Sequence, residues 1–290
     1  MAEHVLRDYL GVRKTLGDLG VEIEVEGDDL PRKELGYWRQ EKDGSLRGES
    51  AEFILRKPLT KEDLVKALKE LDVAYKESSS KVHDSLRAGV HVHVNVQELT
   101  KLQLFNFITV YLLLEDLLVK WCGESRQGNL FCLRCRDAEA WLQLLENAIQ
   151  FDTLAILKND HIRYASINLK ALCQYGSLEF RSMRGTRDLE LIKTWAFMLH
   201  DLRDYSMLYE NPLAVIEKFT QDKDLFVREA LGEHYKTFTY DGYESLLEPC
   251  LRFANDLAHF SSWKERVKRL IGGLEFIQET DFPDEPEVNF

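Results

Sequence analysis

Hydrophobic and polar residues alternate one by one from Val21 to Glu26, with Val21, Ile23 and Val25 interleaved with Glu22, Glu24 and Glu26. A period of two predicts a strand over 20–26 whose apolar side faces a core and whose other side carries three carboxylates. The same rhythm returns three times. In 50–56, Ala51, Phe53 and Leu55 oppose Glu52, Ile54 and Arg56. In 90–96 the valines oppose His91, His93 and Asn95, and in 177–183 Leu178, Phe180 and Ser182 oppose Glu179, Arg181 and Met183. Further strands are expected at Tyr37 to Gln40, joined to the 50–56 strand by a turn at Asp43-Gly44, and near 163–169.

Helical spacing fills the rest. A short helix is expected within residues 1–19, with Leu6, Tyr9, Leu10 and Leu16 as its apolar side. Thr60 and Asp63 read as the N-terminal cap of a helix carrying Leu64, Val65, Leu68 and Leu71. Helices follow at about 100–121, at about 138–150 with Asp137 as its cap, and at about 188–206. The pattern stays helical from about 211 to 274 and ends in a solvated acidic tail, 279–290. Antiparallel-compatible strands followed by helices predict an α+β fold, not a doubly wound sheet.

Carboxylates on one face of a strand sit roughly 7 Å apart, and each adjacent pair repels by roughly 2.4 kcal/mol at an effective dielectric of about 20. A divalent cation, an arginine or full solvation offsets this. For any single strand the plain alternative is a solvated outer face. Together, however, the strands collect Glu22, Glu24, Glu52, His91, His93, Glu179 and Arg181 on one side, and carboxylate and imidazole are the donors that divalent metals take. Glu26 continues this face without having to be a ligand.

Composition narrows the classes. A net charge of −12 argues against sequence-independent binding to duplex nucleic acid. The five cysteines form no framework, and the single C-x-x-C of Cys132 and Cys135 lacks the second pair that a zinc site needs. The first residues, MAEHVLRDYLGVRK, hold no uninterrupted apolar run, so a cytoplasmic location is the default. The longest apolar stretch, Phe105 to Trp121, is interrupted by Glu115 and Asp116 and reads as too short and too charged to span a membrane. Neither G-x-x-x-x-G-K-S/T nor G-x-G-x-x-G occurs.

Seven separated motifs then agree in order: G-V-E-I-E-V-E at 20–26; Trp38 with Asp43-Gly44-Ser45-Leu46; Glu52-Phe53 before Pro58-Leu59; Gly89-Val90-His91-Val92-His93-Val94; Arg126 ahead of Phe131-Cys132; Arg163-Tyr164 leading to Asn168-Leu169; and Leu178-Glu179-Phe180-Arg181 before Gly185-Thr186. In these, over about residues 18–206, the chain resembles the amidoligase family of carboxylate–amine ligases, whose fold is that of glutamine synthetase and glutamate–cysteine ligase.

The resemblance implies a curved antiparallel sheet forming a half-barrel trough, with helices packed on its outer face. It implies a catalytic core over 1–206 and a helical C-terminal extension over 207–290. It also implies an ATP-dependent reaction in which a carboxylate is phosphorylated to an acyl phosphate and an amine displaces the phosphate, with Mg²⁺ or Mn²⁺ as the metal. By position, Glu22, Glu24, Glu52, Glu179 and one of His91 and His93 correspond to metal ligands, and Arg181 to the arginine on the transferring phosphoryl group. Arg126 and Arg163 are the favoured phosphate or substrate contacts among Arg126, Arg134, Arg136, Arg163 and Arg187. Asn168 either orients substrate or satisfies a turn. Arg56 departs from the small residue usual at its place, and either narrows the pocket or pairs with Glu52. The expected partners are small-molecule or peptide carboxylates and amines. A modified nucleic-acid base is disfavoured by the charge. Two alternatives stay open: a catalytically inactive nucleotide-binding relative with the same trough, and a metal-dependent hydrolase built on H-x-H.

Overall fold

The computed structural model describes residues 4–271 apart from 139, 152 and 159–162, with side chains described to Ser261. In chain order its strands are β1 (Leu19–Asp28), β2 (Trp38–Glu41), β3 (Ser50–Leu55), β4 (Lys81–His83), β5 (Gly89–Asn95), β6 (Ile167–Asn168) and β7 (Ser177–Arg184). Its α-helices are α1 (Leu6–Leu10), α2 (Lys61–Glu77), α3 (Lys101–Cys122), α4 (Trp141–Gln150), α5 (Lys170–Tyr175), α6 (Leu189–Ser206), α7 (Pro212–Gln221), α8 (Lys223–Leu231), α9 (Tyr235–Phe238) and α10 (Glu248–Ile271). The acidic tail expected over 279–290 lies outside the described residues.

The strands form one open antiparallel sheet in the order β2-β3-β1-β5-β7-β6. One edge of β1 changes partner along its length: Leu19 to Ile23 pair with β5, and Glu26 to Asp28 pair with β4. Glu24 and Val25 lie between, and the chain from 84 to 88 leaves the sheet beside them. The fold is therefore mixed helix and sheet, as the order of elements implied.

The alternation decides the layers. Val21, Ile23, Val25, Phe53, Val90, Val92, Val94, Leu178 and Phe180 are all buried in the main core. Full burial of each such side chain contributes about 1.5–3 kcal/mol. Helices α3 and α6 pack against this side of the sheet, α3 on β7 and α6 on β1 and β5. The C-terminal helix α10 packs on α3, and Ala254, Leu257 and Ala258 join the same core.

Helix α3 opens on a capping box in which Thr100 and Gln103 bond reciprocally. Contrary to expectation, its 22 residues are long and apolar enough to cross a membrane by length and composition. Burial on every side explains that apolarity, because 89% of the stretch is covered by the rest of the chain. Its two carboxylates are internal anchors. Glu115 Oε1 accepts from Cys135 N at 2.8 Å and from the Ser166 hydroxyl. Asp116 forms an ion pair with Arg134 Nε at 2.6 Å and accepts a hydrogen bond from Arg136 Nη1 at 2.8 Å. Arg134 and Arg136 are thus tied to α3, and Arg187 donates to the Ser80 carbonyl.

Several local expectations are corrected. Leu16 is 91% exposed, so α1 ends at Leu10 and Gly11. The strand expected over 163–169 shrinks to Ile167–Asn168. Helix α4 begins at Trp141 behind Ala140, which takes φ 64°, while Asp137 closes a short 3-10 turn and caps nothing. The Asp43-Gly44 pair does not make a two-residue hairpin. It sits in a longer loop between β2 and β3, where Ser45 N donates to Asp43 Oδ1 at 2.6 Å.

Candidate active site

The polar side of the sheet lines a cleft of about 360 Å³. Register sets its floor. Glu22 faces His91 across β1 and β5, Glu24 faces Glu52 across β1 and β3, and His93 faces Glu179 across β5 and β7. The next pair, Asn168 and Glu179, spans β6 and β7. All ten expected site residues line this cleft: Glu22, Glu24, Glu52, His91, His93, Arg126, Arg163, Asn168, Glu179 and Arg181.

Within it, His91 is the hub. Its Nδ1 lies 3.4 Å from Glu22 Oε2 and 3.7 Å from Glu179 Oε1, and its Nε2 lies 3.7 Å from Glu24 Oε2. Its Nδ1 also meets Arg181 Nη1 at 3.3 Å. His93 differs. Its Nδ1 is 3.2 Å from Ser177 Oγ, and its Nε2 lies 3.4 Å from Glu22 Oε1, buried and without hydrogen-bond geometry to any partner. Donor atoms of Glu22, His93 and Glu179 all fall within 4.8 Å of one another, a spacing one cation can bridge. Periodicity made the two histidines equivalent, whereas geometry leaves His93 Nε2 buried, beside Glu22 but without a hydrogen bond.

Electrostatics follow from this crowding. Burial pushes the Glu22 carboxyl up, but His91 and His93 outweigh it and hold Glu22 well below the usual range. Glu179 is likewise lowered: burial opposes ionisation, and Arg181, which donates to its Oε1, prevails together with both histidines. Glu24 is raised, chiefly by burial, although Gly89 N donates to its Oε2 at 2.9 Å. Glu52 is pushed up to about 8 by burial and by the charges of Glu22, Glu24, Asp43 and Glu41.

Arg126 has different surroundings from those the resemblance implied. Arg126 is fully buried and donates to three carbonyls, from Nε to Ser182 at 3.3 Å, Nη1 to Ala88 at 3.2 Å and Nη2 to Arg181 at 2.9 Å. It clasps β7 to the strand entry at 88–89. Asn168 donates to Glu179 and accepts from Lys170 N, so it serves both the turn and the carboxylate. Arg163 is exposed at the mouth, stacked 4.6 Å over the Tyr164 ring. Arg56 donates to the Leu35 carbonyl and does not pair with Glu52. Glu26 accepts from Arg47 N outside the cleft.

The cleft also holds residues that sequence reasoning did not select: Asp43, Arg87, Lys170 and Tyr175. Asp43 carried a signal that turn chemistry masked, since its motif already stood in family order. Arg87 carried none. A second basin of about 450 Å³ shares Glu22, His93, Gln174 and Tyr175 with the cleft and is walled by Val12, Ile54, Leu55 and Pro58. Arg13, Arg39, Arg56 and Lys57 line it as well.

A family model described as "Putative amidoligase enzyme" matches residues 25–201, starting one residue after Glu24. No curated protein matches the chain. The match spans well over half of the 290 residues and takes in β2 to β7 and most of the cleft, and the chain belongs to this amidoligase family.

Proposed function

We propose that the cleft joins a carboxylate to an amine in an ATP- and Mg²⁺-dependent reaction through an acyl phosphate. The family supports a carboxylate–amine ligase, and the donor set supports the metal. The observation that carries the reading is the convergence of Glu22, His93 and Glu179 donor atoms within 4.8 Å, with the Arg181 guanidinium bonded to Glu179 beside them. Bound Mg²⁺–ATP would supply the phosphoryl group and neutralise its charge.

The chain's own groups suit that task. Glu22, Glu24, Glu52, Glu179 and His93 are oxygen and imidazole donors of the kind that hold Mg²⁺ or Mn²⁺. Arg181 keeps one nitrogen on Glu179, and its buried Nε has no partner, which leaves donor capacity for a phosphoryl oxygen. Asn168 fixes the Glu179 carboxylate from the other side. The adjoining basin, with apolar walls and the Tyr175 ring, offers room for the nucleoside, and its four cations complement phosphates.

The test is ADP and phosphate release from ATP with Mg²⁺ and a panel of carboxylates and amines. Turnover that depends on both substrates is expected, and Glu22→Gln and Glu179→Gln should each lower it by about 10²–10³ while leaving the fold intact. Full activity in both variants would overturn the assignment. Metal-dependent hydrolysis without ATP would favour a hydrolase instead.

A further inference from the structure

The cleft is acidic at its floor and cationic at one rim. Glu22, Glu24, Glu52 and Glu179 lie at the floor, Asp43 joins them from the loop between β2 and β3, and Arg87 stands on the rim. Yet among the described residues Arg87 makes no ion pair. Its guanidinium lies over the Phe131 ring at 5.3 Å, and its Nη1 donates to the Ser45 carbonyl at 3.0 Å. A guanidinium stacked on a ring keeps its edge free, and that edge matches a carboxylate bidentately.

The platform under it is built from three separate segments and is fixed. Ser85 Oγ accepts from Arg87 N at 3.0 Å and from Ala88 N at 3.2 Å. Asn129 donates to the Leu86 carbonyl at 2.7 Å and accepts from Phe131 N at 2.9 Å, tying the arginine's segment to its ring. Phe131 in turn meets Tyr164 edge-on at 5.8 Å, and Arg163 stacks on Tyr164. Such support pre-organises the fork before a ligand arrives.

We infer that Arg87, seated on Phe131, binds a second carboxylate of the substrate, remote from the one that reacts. The substrate class is then a dicarboxylate, an amino dicarboxylic acid included, with its reacting carboxylate toward Glu22, His93 and Glu179 and the other at the rim. The identity of the reacting end rests on the carboxylate–amine ligase reading; the rim site does not. Arg163 flanks the same wall.

Calorimetric titration of the full chain with glutarate and with butyrate, both with Mg²⁺ present, tests this without any turnover. Glutarate is expected to bind about tenfold or more tightly than butyrate. Arg87→Ala should erase that preference, and Arg87→Lys should keep only part of it, because a point charge replaces a planar fork. Equal binding of the two acids, or a preference that survives Arg87→Ala, overturns the inference. ADP release is measured separately on the same protein. If it is absent while an Arg87-dependent preference remains, the ligase reading fails and the rim site stands. If ADP is released without the preference, the rim site alone fails.

Discussion

Asn168 Nδ2 donates to Glu179 Oε2 at 2.7 Å, between two residues that face each other across β6 and β7. With Arg181 on the other oxygen, both oxygens of Glu179 are held by hydrogen bonds from within the chain. On the proposed ligase reading Asn168 is a positioning residue. Asn168→Ala should reduce ATP turnover by about 10–100-fold and raise the Mg²⁺ concentration needed for half-maximal rate. Titrating Mg²⁺ against rate checks this. An unchanged metal requirement would show that Asn168 serves only the turn at Lys170.

Arg126 binds backbone where a phosphate contact was expected. Its three carbonyl partners come from Ala88, Arg181 and Ser182, so it holds the two strands that carry His91 and Arg181. Arg126→Ala takes a donor from the Arg181 and Ser182 carbonyls and from Ala88, which keeps Gly185 N at 3.0 Å, and it also empties a buried side-chain volume, so a loss of about 3 kcal/mol or more is expected. In a chain of this size that lowers the melting temperature by roughly 6–12 °C. Thermal unfolding without nucleotide gives the answer, since a residue used only for phosphate would leave the apo melting point unmoved.

Gly89 lies at the same junction. A Cβ there would stand 3.1 Å from Arg126 Nη2 and 3.2 Å from His91 Nε2. Neither neighbour moves freely, because Arg126 is bonded to three carbonyls and His91 is enclosed by Glu22, Glu24 and Glu179. Gly89→Ala should lower turnover more than it lowers melting temperature. Parallel rate and unfolding measurements distinguish this from general destabilisation, in which both would fall together.

These residues also mark how far the sequence is legible. Alternation within β1, β3, β5 and β7 placed Glu22, Glu24, Glu52, His91, His93, Glu179 and Arg181 on one face, because a strand's period is local and needs no partner. Arg126 was legible as a position but not as a role, since its carbonyls lie 38 to 56 residues away. Arg87 sits in no periodic element, and only the bridge by Asn129 brings it beside Phe131. The cap of α4 was misread because Asp137 has the right chemistry one short turn too early, and a positive-φ alanine starts that helix. The long α3 was misjudged because its apolar run was counted from Phe105 to Trp121, whereas the helix runs from Lys101 to Cys122 and buries both of its carboxylates.

The Glu52 carboxyl is pushed up to about 8 by burial and by Glu22, Glu24, Asp43 and Glu41. Its folded value lies above the unfolded one, so between about pH 4.5 and 8 the folded chain holds the extra proton and stability falls as pH rises. His93, also raised against its burial by Glu22 and Glu179, works in the same direction, its contribution fading as pH climbs through its folded value. Glu22 and Glu179, both lowered, act only below the ordinary carboxylate range and leave this window alone. Metal-free protein should thus melt at a lower temperature near pH 8 than near pH 6. Mg²⁺ should raise the melting temperature more at the higher pH, where the carboxylates it neutralises are ionised. Glu52→Gln should flatten the slope and stabilise the metal-free protein near pH 8 while weakening its response to Mg²⁺. Melting curves across that range, with and without Mg²⁺, decide it: a Glu52→Gln variant as pH-sensitive as the parent would mean that Glu52 is not the group in conflict with its neighbours.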